Sequence, residues 1–173
     1  MSNRMPAIAS LSLGLSLLAL ISMPVRAEHP GGPAKQNAVP DARYDVRGDE
    51  VYDMTTRLTW QRCTLGRHWE DGRGSVGSVR TLNWAAAMQQ GKNGWRLPTR
   101  EELETLVSTQ YGRPAINRNI FPDVGLDGAW WYWTSTPYTR DAAGAWAVHF
   151  GDGGSGYVFP HKKGAVRLVR NGQ

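Results

Sequence analysis

The segment Trp95-Arg96-Leu97-Pro98-Thr99-Arg100-Glu101-Glu102 constrains the fold of this chain more than any other. Thr99 and Glu102 have the spacing of a capping box. The threonine hydroxyl accepts from the glutamate N–H, and the carboxylate accepts from the threonine N–H. A helix therefore starts here. Leu103, Leu106 and Val107 continue it as an apolar stripe at i, i+3, i+4. Pro98 holds Leu97 extended just before the cap. Trp95, Arg96, Leu97, Pro98, Thr99 and Glu102, with Trp60 upstream, read as a structural anchor and not as chemistry. Loss of the cap is expected to weaken the fold and to leave any ligand surface intact.

Residues 1–27 read as an export signal. Arg4 supplies the positive start, 7–23 is uncharged and apolar, and Val25-Arg26-Ala27 is a small-x-small cleavage site. The run is short for a membrane span. Cleavage after Ala27 with no remaining span is expected, leaving a periplasmic, secreted or cell-surface protein. No cysteine adjoins the site, which argues against a lipid anchor. Residues 28–43 read as a flexible leader, and 44–173 as one domain with one core. Losing Arg4 and Arg26 lowers the formal net charge of +5 by two. So small an excess gives no reason to expect a nucleic-acid partner.

Within the domain, 44–46 and 50–53 read as strands around an Arg47-Gly48-Asp49 turn, and 58–62 as a half-buried strand. The glycine-rich stretch 64–80 reads as a loop. Thr81 is expected to cap a first helix over 82–90, and the second helix follows Thr99. Residues 111–128 look irregular. Strands are expected at 130–135, 145–150, 156–159 and 165–170, with a tight turn over 151–155. In the last strand Val166 and Leu168 face one side and Arg167 the other. This order predicts an α+β fold, two helices packed on a twisted antiparallel sheet.

Catalytic constellations are sought without success. Cys63 is the one cysteine, so it has no internal disulfide partner. A buried thiol at a strand end, an intermolecular bridge and a bound thiol ligand are its open readings. The histidines at 29, 68, 149 and 161 lack zinc spacing. Asp123 and Asp127-Gly128 lack the alternation of a calcium loop. No nucleophile elbow, phosphate loop or H-E-x-x-H occurs. Glu101, Glu102 and Glu104 fall on the first helical turns, and the helix dipole accounts for two of them, which leaves little support for paired-acid glycoside hydrolysis. No catalytic residue, metal or cofactor is expected, and the chain is not expected to be an enzyme.

Tryptophan is the exception to this plainness, with eight residues. On a strand Trp131 and Trp133 project to one face, Trp130 and Tyr132 to the other. One face is core. The other is covered by a loop or forms a platform on which sugar rings stack. Basic residues follow in sequence. The candidate ligand surface is therefore Trp131, Trp133, Tyr138, Arg140, His149, Lys162, Lys163 and Arg167, aromatic for stacking and basic for sulfate or carboxylate.

Six motifs stand in order along the chain: Leu58-Thr59-Trp60-Gln61-Arg62-Cys63, Trp84-Ala85-Ala86-Ala87, Trp95-Arg96-Leu97-Pro98-Thr99-x-x-Glu102-Leu103, Tyr132-Trp133-Thr134-Ser135-Thr136, Ala147-Val148-His149-Phe150-Gly151-Asp152-Gly153 and Val166-Arg167-Leu168-Val169-Arg170. Together they resemble the exported bacterial domain family typified by the C-terminal domain of the Legionella collagen-like adhesin. The resemblance spans about 44–171. It implies a C-type-lectin-like fold and, from the best-known member, adhesion to sulfated glycosaminoglycans. Arg96-Leu97-Pro98-Thr99-x-x-Glu102 and Val166-Arg167-Leu168-Val169 are also similar to the formylglycine-generating enzymes. Those hold copper with a cysteine pair, and Cys63 stands alone, so their activity does not carry over. The calcium-binding triplets of C-type lectins are missing as well. The resulting expectation is an exported, adhesin-like, non-catalytic module for a glycan such as an anionic polysaccharide. Self-association into a homo-oligomer is compatible with it. The alternative is a structural or protein-interaction domain of the cell envelope with no glycan ligand.

Overall fold

A computed structural model describes residues 42–139 and 144–172. The expected signal, residues 28–41 of the expected leader and Arg140 lie outside the described residues.

β1 (Tyr44–Arg47) and β2 (Glu50–Asp53) form the expected hairpin around Gly48, whose φ of +55° suits a tight turn. β3 (Leu58–Gln61) pairs antiparallel with β2 and buries Trp60 completely. Residues 64–80, expected as a loop, instead hold a second hairpin, β4 (Arg67–Glu70) with β5 (Gly74–Gly77). The glycines that suggest a loop are what permit it. A Cβ at Gly77 would lie 2.7 Å from the Gly66 carbonyl oxygen, so the hairpin base closes only without side chains. The last sheet is β6 (Trp131–Tyr138), β7 (Gly144–His149) and β8 (Gly154–Val158), antiparallel and in sequential order.

Two helices packed on one twisted sheet is therefore not the architecture. The described residues build three small antiparallel sheets, and the helices α1 (Trp84–Met88) and α2 (Arg100–Glu104) have five residues each. α1 starts later than expected because the Leu82 N–H and C=O are both taken by Gly164, at 2.9 Å each way. Asn83 replaces Thr81 as the cap and accepts from the Ala86 N–H. α2 begins at Thr99 as expected, with both halves of the capping box formed. It ends early because the next turn tightens: Leu106 and Val107 donate to the carbonyls three residues back, Leu103 and Glu104.

The expected last strand, 165–170, divides its work. β9 (Val169–Asn171) pairs with β3 and closes the sheet β1-β2-β3-β9. Residues 165–168 run between sheets. Ala165 exchanges backbone bonds with Trp131 and Trp133, while the Val166 and Leu168 carbonyls accept from Leu65 and Gln61. Apolar clusters flank this segment on both sides. Ala165 and Val169 pack with Val51, Trp60, Phe121, Tyr132 and Val148. Val166 and Leu168 pack with Leu97, Trp133, Ala145 and Ala147. The Trp95–Thr99 motif joins the same junction. Arg96 pairs with Val169 through both backbone bonds, and the Pro98 carbonyl accepts from Ser135 N–H at 2.7 Å.

Candidate functional site

Two residues of the sequence-derived surface are interior. Arg167 is 0% exposed. It faces away from Val166 and Leu168, as expected, but that side is also core. Its guanidinium donates to Asp123 Oδ1 at 2.8 Å, Thr64 Oγ1 at 3.1 Å, the Gln61 carbonyl at 2.7 Å and the Arg62 carbonyl. Trp133 is 1% exposed, and its Nε1–H donates to the Leu82 carbonyl at 2.7 Å. Neither can touch a ligand. Cys63 is a buried free thiol just past β3, matching the strand-end reading, and burial raises its pKa.

The exposed chemistry lies on β6-β7-β8. Tyr138, paired with Gly144 across β6 and β7, sits with Trp146 and Tyr157 on one face. α2 covers the far end of that face. There Ser155 Oγ donates to Glu104 Oε1 at 2.6 Å. At the open end the rings form a row. Tyr138 meets Trp146 at 5.3 Å and Tyr157 at 4.8 Å, Tyr157 meets Phe159 at 5.1 Å, and Phe159 meets His161 at 5.7 Å. Phe159 is 52% exposed. The row needs Gly144, where a Cβ would run into the Tyr157 ring.

Arg100, the first residue of α2, extends over this row. Its guanidinium carbon lies 3.9 Å from the Trp146 ring centroid, and its Nε donates to Glu104 Oε1 at 2.7 Å. The two terminal nitrogens have no partner among the described residues. A planar fork held by an indole below and a carboxylate behind is preorganised for an oxyanion. Lys162 and Lys163 follow Phe159 in an exposed turn, where the Lys162 N–H donates to the Phe159 carbonyl.

The family model of the Lcl C-terminal domain matches residues 49–170. The chain belongs to that family. It is an adhesin-associated family, as the sequence resemblance anticipated. No curated protein matches the chain.

In this Lcl C-terminal domain the sequence-derived surface separates into parts. Tyr138 is part of the aromatic row, and Lys162 and Lys163 follow Phe159 in the exposed turn at its end. Trp131 and His149 stand together on the opposite face of the same sheet. Trp133 and Arg167 are buried, and Arg140 lies outside the described residues. Reasoning from sequence missed Arg100, Trp146, Tyr157 and Phe159. Alternation from Tyr138 across the two neighbouring strands could have found the rings. Arg100 could not be found that way, because its place depends on how α2 docks on β7. Among the described residues, no group of three or more His, Cys, Asp or Glu is placed to hold a metal ion, and no helix is long and apolar enough to cross a membrane.

Proposed function

We propose that this domain is an exported, non-catalytic module that binds an anionic glycan along the Tyr138–Trp146–Tyr157–Phe159 face. The observation that carries the reading is the half-open aromatic row with the Arg100 fork laid across one ring. Rings of this kind offer apolar area to the C–H face of a sugar and polar tips to its hydroxyls. Arg100 supplies a two-pronged donor for sulfate or carboxylate, and Lys162 and Lys163 add attraction at the edge. Membership of an adhesin-associated family supports a binding role. Exposed charge contacts contribute only about 0–1 kcal/mol each, so affinity per site is modest and salt-dependent.

Retention on a heparin column across a salt series tests this. Lys162→Ala with Lys163→Ala is expected to elute at lower salt and to show a shallower salt dependence. Tyr138→Ala is expected to weaken retention without changing the slope. Parent-like elution of the basic double variant would remove the main physical support. The competing reading, a protein-interaction domain, draws on the open groove of about 380 Å³ beside α1, lined by Met88, Gly91, Arg96, Leu97, Thr99 and Ser135. It predicts no retention by any glycan.

A further inference from the structure

Trp131 and His149 face each other across β6 and β7, on the side of the sheet away from Tyr138 and Tyr157. Trp133 and its neighbours fill one end of that side. The Trp131 end is open, with the indole 39% exposed. Glycines set its geometry. A Cβ at Gly156 would lie 3.3 Å from Trp131 Cη2, so the indole lies down on β8. A Cβ at Gly151 would lie 2.7 Å from His149 Cε1, so the imidazole lies down on the turn. The rings are 4.8 Å apart, inclined at 44°. Asp152 Oδ1 holds His149 Nδ1 at 2.9 Å and accepts from the Gly154 N–H at 3.0 Å. His149 Nε2 has no partner among the described residues.

We propose that this corner is a second ligand site, for a neutral pyranose stacked on Trp131. The proposal goes beyond the anionic-glycan reading and does not depend on it. A flat indole backed by glycine presents one ring face to the apolar C–H side of a sugar. His149 Nε2 and the half-exposed Asp152 carboxylate then meet ring hydroxyls. Charge selects the class. Asp152, bonded to His149 Nδ1, puts a half-exposed carboxylate in the corner. A carboxylate here repels a sulfate, whereas Lys162 and Lys163 add positive charge beside the Arg100–Glu104 pair. The two sites lie on opposite faces of one sheet and share no residue.

The test titrates the protein with cellohexaose, chitohexaose and mannohexaose up to tens of millimolar, following the Trp131 indole N–H by NMR. At least one sugar is expected to shift that signal. Trp131→Ala is expected to weaken its binding about tenfold, the size of one lost stacking contact. Trp131→Phe should retain part of the affinity with an unchanged melting temperature, and His149→Ala should weaken binding several-fold. Heparin retention should be unchanged in all three variants. No shift with any of the three sugars, or parent-like binding by Trp131→Ala, would overturn the proposal. Loss of heparin retention in Trp131→Ala would also overturn it, because the corner would then belong to the anionic site.

Discussion

Asp123 is fully buried, and its neighbours favour its ionised form. Burial opposes its charge most strongly. Arg167, then the Thr64 N–H and hydroxyl, outweigh that, and the net pKa falls below the ordinary 3.8. Removing Arg167 would leave this buried carboxylate with Arg67, at 4.0 Å, as its nearest remaining cation. Arg167→Met is expected to cost about 3–5 kcal/mol in urea unfolding, and adding Asp123→Asn should recover part of the loss. The pH sign follows. A depressed folded pKa means the unfolded chain binds more protons at acid pH. The contribution of Asp123 is therefore fully present above about pH 4 and is lost as pH falls through the folded pKa. Thermal melts from pH 6 to pH 2 should show the steepest loss below 3.8, with a shallower fall in the Arg167→Met, Asp123→Asn variant. Arg167 illustrates a limit of reading one strand at a time. Its alternation with Val166 and Leu168 was legible. That the second side is also core was not, because it depends on Asp123 and Thr64 arriving from elsewhere in the chain.

At the scale of the element, α2 gives the closest agreement between sequence and structure. Thr99 Oγ1 accepts from the Glu102 N–H at 3.2 Å, and Glu102 Oε2 accepts from the Thr99 N–H at 2.8 Å. A capping box is local chemistry, so a four-residue pattern suffices to specify it. Thr99→Ala is expected to cost about 1 kcal/mol. Glu102 does more than cap, since it also takes the Arg96 fork at 2.7 Å on each oxygen. Arg100 follows the cap directly, so the proposed site couples the cap to the ligand surface. Thr99→Ala should therefore lower both the melting temperature and the salt of heparin elution, while Thr99→Ser preserves both. A lowered melting temperature with parent-like elution would separate α2 from the site. The β4–β5 hairpin and the late start of α1 were not legible. Each depends on long-range backbone partners, Gly66 against Gly77 and Leu82 against Gly164, that no local pattern records.

For the whole molecule, the junction of the sheets decides what remains available to a ligand. Residues 165–168 and the Trp95–Thr99 motif tie β9 to β6, which buries Trp133 and Arg167. The aromatic row and the Trp131 corner are left open on opposite faces of β6-β7-β8. The aromatic excess marked that region in the sequence, but residue type alone could not separate core rings from exposed ones. Export is expected to release a chain beginning at Glu28, and N-terminal sequencing of the exported protein checks this. An intact Met1 would contradict it. The proposed glycan binding rests on the row of rings under Arg100. Its most direct test is an NMR titration of the protein with a heparin-derived hexasaccharide. Shifts are expected to centre on Arg100, Tyr138, Trp146, Tyr157, Lys162 and Lys163 and to weaken as salt is raised. Absence of binding at low salt, or shifts centred on another sheet, would contradict it.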